Sequence, residues 1–98
     1  MNSFLFQIHL SPFTPALVAR IPEQRKQVEN MLTDGSLVSY SLSEDRSRLW
    51  CVVNADSEKS AEEIVGNMVM FQFFNGLECV PLMFHNTIAA RLPDISLN

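Results

Sequence analysis

The chain has 98 residues, enough for one domain with a packed core. With 47% hydrophobic and 18% charged residues, its composition argues against a disordered chain. A formal net charge of -4 argues against a nucleic-acid surface, and no apolar run reaches the roughly 20 residues of a membrane span.

The N-terminus lacks a basic start followed by a long apolar run, so no signal peptide is expected. Cys51 and Cys79 each fall inside an expected strand and lack Cys-x-x-Cys spacing. They read as small buried hydrophobes in a reducing, cytoplasmic setting.

Phe4, Phe6, Ile8 and Leu10 alternate with Leu5, Gln7 and His9, which predicts a first strand with one dry face. Pro12 and Pro15 end its pairing. Ala16 to Ile21 reads as a short helical turn, and the main helix is expected to open at Pro22. Val28, Met31 and Leu32 form its apolar stripe, with Ile21 one turn or more earlier, and Gly35 stops it. From Gly35 to Asn54 the pattern is a β-hairpin around the polar turn Ser43 to Arg48. In that turn Arg46 and Arg48 are set against Glu44 and Asp45, which reads as a solvated turn. Val38, Tyr40 and Leu42 are expected toward the helices, as are Leu49, Cys51 and Val53 on the return strand.

The second helix starts near Asp56-Ser57 and buries Ala61, Ile64, Val65 and Met68. Val69 to Phe74 is too apolar for a free loop. It either folds over the open end of the core or forms a pocket wall or an oligomer contact, with at least two phenylalanines buried. Asn75-Gly76 reads as a turn, and Leu77 to Phe84 as the last strand, with Pro81 at an edge or a bulge. The tail Asn86 to Asn98 lies against a partner or frays. No repeat or second domain is visible, so residues 1–98 are expected to form a single domain.

The order β-α-β-β-α-β predicts an α+β fold: a four-stranded antiparallel sheet, strand order 4-1-3-2, with both helices on one face. This is the ferredoxin-like motif. The other face would carry Leu5, Gln7, His9, Leu37, Ser39, Trp50 and Val52, too apolar to stay wet. A second copy covering it gives a dimeric α+β barrel.

Over roughly residues 4 to 86 the chain resembles the muconolactone delta-isomerase family and its YciI-like relatives. The resemblance rests on Phe4-Leu-Phe, the charged helix ending Asp34-Gly35, Asn54-Ala-Asp-Ser57, and Met68-Val-Met-Phe-Gln-Phe. The last is similar to the family's Leu-Pro-Leu-Phe-Pro-Tyr segment, with Val69 and Gln72 in place of the prolines. What the resemblance implies is a double-bond shift in an unsaturated lactone during aromatic catabolism, with no metal and no cofactor.

The residues themselves show no Gly-rich phosphate loop, metal-ligand spacing or nucleophile motif. Of the two histidines, His85 lies past the end of the last strand, on the order of 20 Å from His9 at roughly 3.3 Å per residue. If Leu10 pairs with Leu77, His9 meets Glu78 on the face away from the helices. Such a pair is an acid–base unit, because the carboxylate raises the imidazole pKa and sets its tautomer. The competing reading is a cross-strand polar pair on a subunit interface. His9 and Glu78 are therefore the candidate catalytic residues. Trp50, Asn54, Ser39, Phe71 and Phe74 are the candidate substrate-binding residues. The expected partners are a second copy and a small organic ligand, in an isomerase, a binding module or a structural assembly subunit.

Overall fold

The computed structural model describes residues 2–86. Its elements run β1 (Asn2–Leu10), α1 (Pro15–Asp34), β2 (Leu37–Leu42), β3 (Arg48–Ala55), α2 (Glu58–Gly66), a 3-10 segment (Val69–Phe73) and β4 (Phe74–Leu82). The sheet order is β2-β3-β1-β4, which is the expected 4-1-3-2 read from the other edge, and every pairing is antiparallel. Phe4, Phe6 and Ile8 of β1 meet Leu49, Cys51 and Val53 of β3, Val28 of α1, and Ala61 and Val65 of α2 in one core. Both helices thus lie on one face. The fold is ferredoxin-like.

α1 differs from its expected start. It is one helix from Pro15, capped by Thr14, whose Oγ1 accepts from the Leu17 backbone N–H at 3.3 Å. Pro22 lies inside it, exposed, and lacks the N–H that would bond the Val18 carbonyl. The helix continues through it because Leu17, fully buried five residues before the expected opening, extends the stripe that faces the sheet. Gly35 ends α1 at φ 85°, a left-handed conformation that a side chain would strain. α2 starts as expected, with Ser57 Oγ accepting from the Ser60 N–H at 3.1 Å.

Two bulges reset the strands. Leu37 pairs with Val53, but Ser39 pairs with Val52, so β2 spends an extra residue at Val38. The bulge turns Leu37 onto the helix side, where it is 2% exposed, and takes Val38 out of the core. Tyr40 and Leu42 keep the helix side, opposite Cys51 and Leu49. In β4 the pairing shifts between His9 and Leu10, which sit opposite Gly76 and Phe74. Asn75-Gly76 is therefore a bulge inside β4 rather than a turn before it. Pro81 lies on the edge strand, where a missing N–H leaves no ladder bond unmade. The expected tail contact falls on 87–98, outside the described residues. No described helix is long and apolar enough to cross a membrane.

Candidate functional site

The site is built from α1 outward. Leu17, Ile21, Gln24, Val28 and Met31 follow one another at helical three- and four-residue steps, so a glutamine sits in the middle of an apolar stripe. Gln24 is 5% exposed. A buried amide must find partners for its oxygen and its nitrogen. Gln24 Oε1 accepts from the Met70 backbone N–H at 3.1 Å, and Nε2 donates to the Tyr40 hydroxyl at 2.9 Å. One turn on, Gln27 repeats the device: its Oε1 accepts from the Val69 N–H at 2.8 Å and its Nε2 donates to the Asn67 carbonyl at 2.9 Å. Two side chains of α1 therefore hold the 3-10 segment in place.

That segment, α1 and the β2–β3 hairpin enclose an apolar cleft of about 780 Å³ on the helix side of the sheet. Phe13, Ile21, Leu42, Leu49, Met70 and Phe74 supply its apolar wall; Tyr40 and Gln24 are its polar floor, and Arg25, Glu29 and Arg46 carry its charge. The Gln24 amide orientation is fixed by the Met70 N–H, which can only be met by an oxygen. Gln24 therefore presents N–H to Tyr40, and the Tyr40 oxygen acts as acceptor. Among the described residues no hydrogen bond is donated by the Tyr40 hydroxyl. Burial pushes the Tyr40 pKa up, against the Gln24 hydrogen bond, so the phenol stays protonated at neutral pH.

The other face of the sheet holds the expected catalytic pair in a different register. Glu78 stands opposite Gln7, and His9 opposite Gly76 on β4 and Arg48 on β3. The displacement is two residues, so His9 and Glu78 keep the same face but are diagonal neighbours rather than a cross-strand pair. Glu78 Oε1 accepts from Gln7 Nε2 at 2.9 Å, and Gln7 Oε1 accepts from the Trp50 indole N–H at 3.0 Å. A hydrogen-bonded row thus crosses three strands beside His9. Among the described residues the one ion pair within 4 Å is Arg20–Glu23, not His9–Glu78.

The other nominated residues are divided between the two faces. Asn54 is engaged in structure: its Oδ1 accepts from Ser3 Oγ at 3.0 Å and its Nδ2 donates to the Gly35 carbonyl at 3.1 Å. Ser39 stands opposite Val52 on the edge strand β2. Phe74 lines the helix-side cleft, and Phe71 meets it edge-on at 5.7 Å while remaining 42% exposed. Phe73 and Phe74 are half-buried, so the apolar residue of this segment that is fully enclosed is Met70. Tyr40, Gln24 and Arg46 were missed as site residues. The legible signal was the glutamine in the apolar stripe.

No family model matches this chain. No curated protein matches it either. Among solved structures it is similar to the 5-chloro-2-hydroxyhydroquinone dehydrochlorinase of Burkholderia phenoliruptrix in complex with 2,5-dihydroxybenzoquinone. That likeness has a TM-score of 0.58 and 13% identity, covering 80% of this chain and 90% of that one. It also matches a dimeric ferredoxin-like protein from an uncultured marine organism at a TM-score of 0.41 and 13% identity, over 92% and 95% of the two chains. At such identity the first likeness speaks for the fold alone, and the second, at its score, carries no argument.

Proposed function

We propose that this chain is a homo-oligomeric, muconolactone isomerase-like protein. In this reading it binds a small unsaturated lactone or related carboxylic acid in the helix-side cleft and shifts its double bond by proton transfer, without a cofactor. The observation that carries the reading is the Tyr40 hydroxyl, whose oxygen is occupied by Gln24 and whose hydrogen is free at an apolar wall. A phenol placed on a ligand carbonyl stabilises the enolate that forms when a neighbouring carbon loses its proton. Glu29 is the carboxylate in the lining that can take that proton and return it further along the conjugated system. The proton leaves one carbon and arrives at another, so the sum is isomerisation.

The test is incubation with a panel of unsaturated lactones and acids in deuterated water, followed by mass spectrometry. Turnover washes deuterium into the ligand. Tyr40→Phe is expected to slow the exchange by about a hundredfold, with His9→Ala close to the parent. Binding without exchange across the panel replaces the isomerase with a binding module.

A second reading places the chemistry on the other face, with His9 and Glu78 as acid and base and Trp50, Asn54 and Ser39 as walls. What favours it is the fixed row Trp50–Gln7–Glu78 on the same face as His9. It predicts the reverse pattern, loss of exchange in His9→Ala and little change in Tyr40→Phe.

Both readings include a second copy over that face. Val52 is already 3% exposed within one chain, so it contributes little to the association. Val80, on the same face opposite Leu5, is 48% exposed, and Leu5 and Trp50 are half-buried. Sedimentation at micromolar concentration is expected to show a dimer, and Val80→Asp to shift it toward monomer, because a carboxylate would be buried unpaired. A parent protein that sediments as a monomer would overturn the assembly.

A further inference from the structure

We propose that Arg46 is the anion-recognising residue of the helix-side cleft, and that the ligand it reads therefore bears a carboxylate. The inference rests on the cleft reading above and deepens it by assigning the ligand's charge and the residue that reads it.

Three observations converge on Arg46. It lines the cleft, and its guanidinium carbon lies 5.6 Å from the centroid of the Phe13 ring, another lining residue. An arginine held over an aromatic face keeps its in-plane fork of N–H donors for a bidentate oxygen pair. Next, the chain has a net charge of -4, yet among the described residues the one ion pair within 4 Å is Arg20–Glu23. Arg46 and Arg25 both reach the cleft without such a partner. The nearest carboxylate in sequence, Asp45, is committed to the turn. Its Oδ1 accepts from Ser43 Oγ at 2.8 Å, from the Ser47 N–H at 3.0 Å and from Ser47 Oγ at 2.7 Å. Those bonds hold the Asp45 carboxyl down to about 2, so it stays charged and satisfied without the arginine.

The third observation is the backbone. Arg46 has φ 63° and is the one non-glycine residue at positive φ among those described. The Arg46 N–H donates to the Ser43 carbonyl at 2.9 Å, and the Ser43 N–H to the Arg48 carbonyl at 2.9 Å, closing the hairpin. Turns fill such a left-handed position with glycine or asparagine, because a larger side chain is strained there. The turn by itself is better served by glycine. A strained arginine aimed at an apolar cleft is explained by what the guanidinium does in that cleft.

The experiment titrates the full chain with matched carboxylate and carboxamide pairs: benzoate and benzamide, cinnamate and cinnamamide, 2-furoate and 2-furamide. NMR shifts of Tyr40 and the Met70 methyl report occupancy of the cleft. The carboxylates are expected to bind about tenfold more tightly than their amides. Arg46→Gly and Arg46→Asn, both suited to the left-handed position, are expected to bring that ratio to about one. They should melt no lower than the parent. A preference that survives both variants, an absent preference in the parent, or variants that melt well below it would overturn the role of Arg46 while the cleft remains a binding site. If neither member of any pair shifts Tyr40 or Met70, the cleft reading fails and takes this one with it.

Discussion

Gln24→Leu should lower the melting temperature by about 10 °C, corresponding to about 2–3 kcal/mol in a domain of this size. The side chain is nearly isosteric, so little packing is lost. What is lost is the partner of the Met70 N–H and of the Tyr40 hydroxyl, both supplied by one amide. Met70 is 7% exposed, and a buried N–H without an acceptor carries its full desolvation cost. Gln24→Glu restores an acceptor for Met70 but brings a charge into the cleft floor, so it should rescue less than half of the loss. Thermal unfolding followed by circular dichroism checks both variants. A Gln24→Leu protein that melts with the parent would mean that the glutamine does not hold the 3-10 segment.

Alkaline pH should destabilise the protein steeply through Cys51. Burial is the main cause that lifts this thiol from 9.0 to about 12, with the neighbouring Cys79 adding to it. The unfolded chain releases the proton near 9 and the folded chain near 12. Between those values the unfolded state binds fewer protons, so stability falls as pH rises. The contribution is fully present below pH 9 and is lost by pH 12. Three units at about 1.4 kcal/mol each amount to about 4 kcal/mol. Tyr40, also shifted upward by burial, adds to the fall once unfolded tyrosine ionises near 10. Cys51→Ala should start somewhat less stable at pH 8 and fall less between pH 9 and 12. Urea unfolding in a pH series under reducing conditions measures both slopes. Parallel slopes for parent and variant would exclude the buried thiol as the source.

Much of the candidate site was hidden from a linear reading for identifiable reasons. Tyr40 was assigned correctly to the helix-facing side of its strand, but the cleft beside it is made by elements far apart in sequence. Gln24 lies 16 residues from Tyr40 and 46 from Met70. Starting the helix at Pro22 hid the register of its stripe. With the helix continuous from Leu17, Gln24 falls between Ile21 and Val28 on the buried side, and a polar residue there asks for partners. Arg46 was read as part of a solvated turn, because a left-handed backbone at a non-glycine position leaves no mark in the sequence. The His9–Glu78 pairing depended on a register, and the register the strands adopt differs from it by two residues, which preserves parity.

The order of elements, the antiparallel sheet with strand order 4-1-3-2, the Gly35 stop and the Ser57 cap were determined by the sequence alone. These are local properties: period-two alternation, helical stripes and cap residues act over a few neighbours, and the handedness of crossovers leaves little freedom in joining them. The tertiary structure decided which residues stand opposite one another and where the cleft opens. A bulge that spends one residue moved Leu37 into the core, and the β1–β4 register, two residues from the expected one, set Glu78 against Gln7. Such bulges are selected by the packing of the whole sheet against its helices, because an extra residue disrupts the ladder locally and is retained where it improves burial elsewhere. The buried amide of Gln24, bridging a helix, a strand and a 3-10 turn, exists as a site only once those three are packed together.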